Sequence, residues 1–192
     1  MNNDFAPLRD ALRPLAEIAV PWSVAGGWAL DLFLGAVTRE HQDVDVAVLR
    51  RDFSALRTAM PAWTFQRAFV GEPGRLSDLA PDEELVLPEH ELVATRPADG
   101  AQLEFLLNEA VGSVWTFRRD PSITLAWRYA RLISAQGIPH LAPEIVLLYK
   151  AKSPRPRDTA DFEALGPRLG ERRRRWLREA IAIAHPDCPW HF

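Results

Sequence analysis

Two aspartates separated by one residue, Asp43 and Asp45, open a stretch with strand character, Asp-Val-Asp-Val-Ala-Val-Leu. Residues two apart in a strand project from one face, so the two carboxylates are expected side by side while the intervening valines face the core. Neighbouring carboxylates repel each other, and carboxylate oxygens with substrate phosphates are the ligands that Mg²⁺ prefers. The pair therefore predicts a Mg²⁺ (or Mn²⁺) site acting on a phosphorylated substrate. On its own, a strand with a solvated polar face explains the pair as well.

A Gly-Gly turn lies upstream of the two aspartates. The segment Trp22–Ala25 is predicted as a short strand that ends at Gly26 and Gly27, and Trp28–Leu34 as a helix that stops at Gly35. Glycine lets backbone N–H groups approach a phosphate without a Cβ in the way, and the start of a helix attracts anions. A phosphate site beside a carboxylate pair therefore predicts metal-assisted chemistry on a phosphorylated substrate.

Together these residues carry a family resemblance. The segment from residue 26 to residue 46 resembles the aminoglycoside and lincosamide nucleotidyltransferases, which are antibiotic-modifying members of the polymerase-β-like superfamily. The match rests on ten positions in fixed register: Gly26, Gly27, Trp28, Asp31, Gly35, Thr38, Arg39, His41, Asp43 and Asp45. The resemblance implies Mg²⁺-dependent transfer of a nucleoside monophosphate, AMP from ATP or another NMP from its NTP, to a hydroxyl group with release of pyrophosphate. Beyond Leu49 it fades to the level of the superfamily.

The superfamily pattern also implies a third carboxylate on a later strand. Glu104 lies alone on the polar face of Leu103–Leu107 and is the predicted residue, as metal ligand or general base; Asp99 and Glu109 are the alternatives. The resemblance further implies that Arg39 and Lys150 contact the triphosphate, although a surface position would explain either residue. Asp31 is interpreted as a hydrogen-bonding partner of a nearby loop.

Hydrophobic periodicity predicts an α+β fold, with a mixed β-sheet flanked by helices and a C-terminal helical lobe. The expected division is a nucleotidyltransferase domain over residues 1–142 and a packed helical segment over residues 143–192. Predicted helices are Ala6–Ile18, Trp28–Leu34, Arg51–Met60, Pro143–Lys150, Thr159–Leu165 and Glu171–Ala184. Predicted strands are Trp22–Ala25, Asp43–Leu49, Thr64–Val70, Glu91–Thr95 and Gln102–Leu107, followed by a hairpin over Leu132–Leu141, and most of Gly71–Glu91 is predicted as loop.

Net charge and cysteine content limit the classes of acceptor and the cellular location that the sequence predicts. With 23 Lys and Arg against 26 Asp and Glu in 192 residues, the net charge is −3, which disfavours nucleic acid and favours a hydroxylated small-molecule acceptor, an antibiotic among the candidates. Six acidic residues between positions 78 and 91 suit a cationic acceptor or a solvated loop equally. A single cysteine and the absence of a long apolar run indicate a cytoplasmic protein without a membrane segment. A toxin-like enzyme that modifies tRNA or protein and a non-catalytic nucleotide-binding module remain the alternatives.

Overall fold

A computed structural model describes residues 4–80 and 82–192, so residues 1–3 of the expected catalytic domain and Pro81 of the predicted loop lie outside it. The strands are β1 (Trp22–Val24), β2 (Asp45–Leu49), β3 (Thr64–Ala68), β4 (Leu76–Asp78), β5 (Glu91–Arg96), β6 (Ala101–Val111), β7 (Val114–Thr116), β8 (Thr124–Ala126), β9 (Arg131–Ile133) and β10 (Pro139–Leu141). The helices are α1 (Ala6–Leu12), α2 (Gly26–Leu34), α3 (Phe53–Ala59), α4 (Trp127–Ala130), α5 (Pro143–Lys150), α6 (Pro156–Leu165) and α7 (Glu171–Ala184).

The strands form one mixed sheet in the order β4-β3-β5-β6-β2-β1-β10-β9, and β7 and β8 extend it from β6. Two pairs are parallel, β2 with β6 and β1 with β10, and the other pairs are antiparallel. The parallel β2–β6 pair is central to the site, because it brings together residues that are about 60 positions apart in the chain. The predicted α+β class, with a mixed sheet flanked by helices, is confirmed.

Several predicted elements have other ends in the structure, among them the helices predicted over Arg51–Met60 and Thr159–Leu165 and the strands predicted over Thr64–Val70 and Gln102–Leu107. The first helix stops at Leu12 and continues as a 3₁₀ helix over Arg13–Leu15, because Pro14 has no N–H to donate within the helix. Strand β2 begins at Asp45, so Asp43 precedes the strand instead of lying in it. The predicted loop before β5 contains the short edge strand β4, which pairs with β3.

The C-terminal helices pack on the sheet domain through a shared apolar core. Ile145, Leu147 and Leu148 of α5 are fully buried and belong to the same cluster as Val46 and Phe105 of the central strands. Helix α5 contacts α2, α6 and α7, and α6 also contacts α2. This packing places α5 and α6 beside the start of α2, where the Gly-Gly turn lies. No helix of the described ranges is both long and apolar enough to cross a bilayer.

Candidate active site

Four carboxylates converge at the start of β2. In the parallel pairing of β2 with β6, Asp45 lies opposite Glu104, so both side chains share one face of the sheet. Glu104 in turn lies opposite Val93 of β5, and Glu91, two residues earlier in β5, projects from the same face. Asp43 lies just before β2, and all four side chains line one cavity. Glu91 was not predicted as a member of this group.

Electrostatic repulsion within the group is strong enough to alter its protonation. Burial, followed by the charges of Glu104, Asp43 and Glu91, raises the pKa of Asp45 to about 7, and Lys150 opposes this only weakly. Burial together with Asp43 and Glu91 also raises the pKa of Glu104. The negative charge of the four carboxylates therefore exceeds the positive charge of the neighbouring cations. A bound metal ion, alone or coordinated by phosphate, would compensate this excess.

The two glycines of the turn are required by close contacts on the cavity wall. Gly26 adopts a positive φ of 57°, and any side chain there would overlap the carboxylate of Asp45. A Cβ on Gly27 would overlap the Arg39 guanidinium and lie 2.6 Å from His41 Cε1. The backbone N–H of Ala25 also donates to Asp45 O at 2.8 Å, which ties the turn to β2. The turn thus holds α2 directly against the carboxylate group.

A buried hydrogen-bond network positions the loop between α2 and β2. Asp31, which is 1% exposed, accepts from Thr38 Oγ1 at 2.5 Å and lies 2.6 Å from His41 Nε2. Arg39 Nη1 donates to His41 Nδ1 at 3.1 Å, so Nε2 carries the proton directed at Asp31. The His41 ring also lies 4.3 Å from the ring of Trp28. This geometry confirms Asp31 as the loop's hydrogen-bonding partner and fixes Arg39 at the cavity.

Both predicted phosphate-contacting cations are paired with carboxylates of α6. Lys150 Nζ lies 2.5 Å from Asp158 Oδ1 and 3.1 Å from Asp161 Oδ2, and Arg39 Nε lies 3.4 Å from Asp161. Although burial opposes it, hydrogen bonds from Arg155 and Lys150 hold the pKa of Asp158 well below its usual range. The cations are therefore held at the cavity by a carboxylate framework from the C-terminal helices.

One cavity of about 710 Å³ collects every residue predicted for the site. Its walls include Gly26, Gly27, Arg39, Asp43, Asp45, Glu104 and Lys150. The alternatives for the third carboxylate lie elsewhere: Asp99 is in the turn before β6 and pairs with Arg96, and Glu109 pairs with Arg50. The geometry thus favours Glu104 over both.

The profile of the aminoglycoside-2''-adenylyltransferase family matches residues 7–165 of the chain. The chain belongs to this family. Three solved structures show the same fold. The crystal structure of ANT(2'')-Ia in complex with adenylyl-2''-tobramycin has a TM-score of 0.60 at 17% identity, covering 92% of this chain and 95% of that one. The solution structure of ANT(2'')-Ia, an antibiotic-resistance factor, has a TM-score of 0.58 at 18% identity, covering 93% and 91%.

Lincomycin-bound LnuA, a lincosamide antibiotic adenylyltransferase, has a TM-score of 0.57 at 14% identity, covering 86% of this chain and 98% of that one. Among curated proteins, no sequence matches the chain. The fold of this adenylyltransferase-family member is therefore the polymerase-β-like nucleotidyltransferase fold, and the chain is a nucleotidyltransferase enzyme. The resemblance that the segment from Gly26 to Val46 carries is confirmed.

The carboxylates of this nucleotidyltransferase suit a hard divalent cation that shares its ligands with substrate. Oxygen donors in excess of local positive charge are the donor set for Mg²⁺. Within the described ranges, no three His, Cys, Asp or Glu side chains are close enough to form a complete cluster by themselves. A cation at Asp43, Asp45 and Glu104 would accordingly need phosphate oxygens to complete its shell.

Several cavity residues of the enzyme were not predicted. Glu91 is one of the six acidic residues considered for a cationic acceptor, and it lines the cavity. Its place in the carboxylate group was not predicted, although a period-two count from Val93 puts it on the same face as Glu104 of β6. Further cavity residues without a predicted role are basic or aromatic: His90, Arg118, Arg119, Tyr149, Arg155 and Arg157. Of the other acidic residues between 78 and 91, Glu83 and Glu89 pair with Arg67 of β3 and do not line the cavity.

Proposed function

We propose that this enzyme transfers a nucleoside monophosphate, AMP from ATP, to a hydroxyl group of a small molecule and releases pyrophosphate. The observation that carries the proposal is the carboxylate group at Asp43, Asp45 and Glu104, in which burial, and after it mutual repulsion, raises the pKa of Asp45 to about 7. A protein that only sensed nucleotide would gain nothing from this unfavourable concentration of charge. An enzyme whose substrate and metal compensate the negative charge of these carboxylates during the reaction does gain from the arrangement.

The triphosphate is assigned to the Gly-Gly end of the cavity. Gly26 and Gly27 leave the backbone at the start of α2 uncovered, and Arg39 and Lys150 lie beside it. Cations and helix-start N–H groups stabilise phosphate oxygens. Because Lys150 already contacts two carboxylates of α6, its ammonium is oriented before nucleotide binds.

Asp43, Asp45 and Glu104 are the residues that would hold Mg²⁺ or Mn²⁺. When bound, this cation supplies charge stabilisation for the attacking and leaving oxygens of an in-line displacement at the α-phosphorus. Asp43 is exposed and Asp45 is half-buried, and both line the cavity. The positive charge of a bound cation would lower the pKa of Asp45, so that Asp45 is ionised at neutral pH.

Glu104 is the proposed general base. Its raised pKa favours uptake of a proton, and its position opposite Asp45 keeps it at the carboxylate group. The acceptor hydroxyl oxygen forms a bond to the α-phosphorus while the bond from that phosphorus to the pyrophosphate oxygen breaks. The hydroxyl proton passes to Glu104, and pyrophosphate leaves with the electron pair of the broken bond.

The acceptor is proposed to be a hydroxylated small molecule, and antibiotics are candidates because structures of relatives contain adenylyl-2''-tobramycin and lincomycin. Nucleic acid is disfavoured by the net charge of −3. The division into a catalytic domain over residues 1–142 and a helical segment over 143–192, and the cytoplasmic location, stay predictions.

A pyrophosphate-release assay tests the function. Wild-type protein with ATP and Mg²⁺ is screened against aminoglycosides, lincosamides, hydroxylated metabolites and bulk tRNA, with Asp45→Asn as the inactive control. Acceptor-dependent release that is lost in Asp45→Asn, with mass spectrometry showing an added AMP group, is the expected result. Release only with tRNA would replace the proposed acceptor by nucleic acid. No nucleotide binding by the wild-type protein would refute the function itself.

A further inference from the structure

A second group of charged side chains lies along the cavity from the carboxylates. Arg118 contacts His90 Nε2, and its Cζ lies 4.5 Å from the centre of the Tyr149 ring. Arg119 follows directly and donates from Nη1 to Tyr149 O at 3.2 Å. We call Arg118, Arg119 and His90 the arginine pair site; all three line the same cavity as Asp45 and Glu104.

The charge of this site is not balanced by the protein. Three other cations of the cavity have acidic partners: Arg39 pairs with Asp161, and Lys150 and Arg155 pair with Asp158. Arg157 also lines the cavity and forms no salt bridge within the described ranges. Arg118 and Arg119 form no salt bridge with an Asp or Glu of the described chain. Burial and the two arginines lower the pKa of His90 to about 4, so its ring is neutral at pH 7 and does not change the net charge of the site. Two guanidinium groups thus face the cavity side by side.

Strand register separates this site from the triphosphate end. The N–H of Leu107 donates to His90 O at 2.7 Å, so His90 lies level with Leu107 of β6, whereas Glu104 lies level with Asp45 and the Gly-Gly turn. Three residues of a strand span about 10 Å. The arginine pair site therefore lies beyond the level of the Gly-Gly turn and the carboxylates, next to Tyr149, which precedes Lys150. Because an in-line attack on the α-phosphorus comes from the side opposite the leaving pyrophosphate, a triphosphate held at Gly27 and Arg39 leaves this site to the acceptor.

We propose that Arg118 and Arg119 bind an anionic group of the acceptor, a phosphate or a carboxylate, so that the substrate of this enzyme is a hydroxylated anion and not a polycationic antibiotic. The inference rests on the proposed function and specifies its acceptor. Paired guanidinium groups match the oxygens of phosphate and carboxylate, and both remain charged at any working pH. The same charges repel the several ammonium groups of an aminoglycoside.

The test uses full-length protein saturated with α,β-methylene-ATP and Mg²⁺, so that the Gly-Gly end is filled. Inorganic phosphate, and acetate as the carboxylate probe, are titrated by calorimetry into wild type, Arg118→Gln, Arg119→Gln and the exposed control Arg174→Gln. Phosphate is expected to bind saturably to the nucleotide-bound wild type and to Arg174→Gln. Each pair-site variant should weaken it about tenfold or more, the usual worth of a hydrogen bond to a charged group. Circular dichroism checks that the variants are folded, and Arg119→Gln, at the more exposed position, guards against misfolding of Arg118→Gln.

Separate outcomes identify separate failures. If phosphate and nucleotide compete, or if Arg119→Gln weakens the nucleotide analogue itself, the site belongs to the triphosphate and the inference is overturned. It is also overturned if neither anion binds, or if aminoglycosides support turnover that Arg118→Gln and Arg119→Gln leave unchanged. Turnover confined to sugar phosphates or sugar acids, and lost in both variants, supports it. Absence of nucleotide binding to wild type would instead count against the proposed function.

Discussion

Replacing Asp45 by asparagine should make the substrate-free protein more stable. A folded-state pKa of about 7 instead of 3.8 means that ionised Asp45 opposes folding at neutral pH. At about 1.4 kcal/mol per pKa unit, the full shift corresponds to roughly 4 kcal/mol. We expect about half of this, ~2 kcal/mol, because an asparagine amide also loses hydration on burial. For a chain of this size, that gain raises the melting temperature by about 4 to 8 °C.

The pH dependence gives the sharper test. Below the unfolded-chain pKa of 3.8, Asp45 takes up a proton in the folded and the unfolded chain, and Asp45→Asn should be no more stable than wild type. Between this point and about pH 7 the unfolded chain is ionised while the folded protein holds its proton, so wild type loses stability as the pH rises. The advantage of the variant should therefore grow over this range and then level off. Thermal unfolding from pH 4 to pH 8 measures it, with the exposed Asp187→Asn as the matched control.

Bound Mg²⁺ and nucleotide should make wild type more stable than Asp45→Asn, the reverse of their order without substrate. Mg²⁺ together with a non-hydrolysable ATP analogue should raise the melting temperature of wild type but not of Asp45→Asn, and Mg²⁺ alone should have little effect, because phosphate oxygens are needed to complete its shell. The reasoning fails if Asp45→Asn is no more stable than wild type at pH 8. It also fails if its advantage is the same at every pH, or if Mg²⁺ acts identically with and without nucleotide.

Three further variants probe the surrounding residues. Gly27→Val should abolish binding of an ATP analogue in calorimetry while far-ultraviolet circular dichroism stays unchanged, since the new side chain displaces Arg39; normal affinity would show that the turn is only structural. If Glu104 is the general base, Glu104→Gln should lower turnover by about 10² to 10⁴ while nucleotide affinity is retained. A changed Mg²⁺ dependence would instead identify Glu104 as a metal ligand, and unchanged turnover would contradict both roles. Asp31→Ala should cost about 2 kcal/mol of stability in urea unfolding, because it leaves the Nε2–H of His41 buried without an acceptor. An unmoved midpoint would contradict this.

Local spacing explains why so much of the site was predictable. The chain from Trp22 to Leu49 runs without interruption as strand, Gly-Gly turn, helix, loop and strand, so the positions of its residues follow from short-range geometry. Glu104 was predictable for a different reason: a single polar residue within an apolar strand shows which face meets the other carboxylates. The start of β2 was less predictable, because β-propensity does not reveal that Asp43 lies before the first residue paired with β6.

The arginine pair site was beyond prediction because it depends on tertiary packing. Arg118 and Arg119 follow β7 in a segment of short strands whose apolar pattern is too brief to identify. They reach the cavity only because Tyr149 of α5 packs against Phe117, with ring centres 5.0 Å apart. The ion pairs of Lys150 were unpredictable for the same reason. They join α5 to α6, and a sequence motif does not determine how two helices pack against each other.

The topology also indicates where this enzyme can vary. The chain leaves the catalytic strand at Leu49 and returns beside it with β6, and no described residue between Val46 and Glu89 lines the cavity. That excursion forms the outer edge of the sheet, with α3, β3 and β4. Because closing a longer loop costs little additional free energy, insertions and deletions there should be tolerated as long as β5 and β6 return in register. Sequence divergence between Leu49 and Glu89 is therefore compatible with an unchanged catalytic centre, and this edge is the place to attach a tag or an additional domain without loss of turnover.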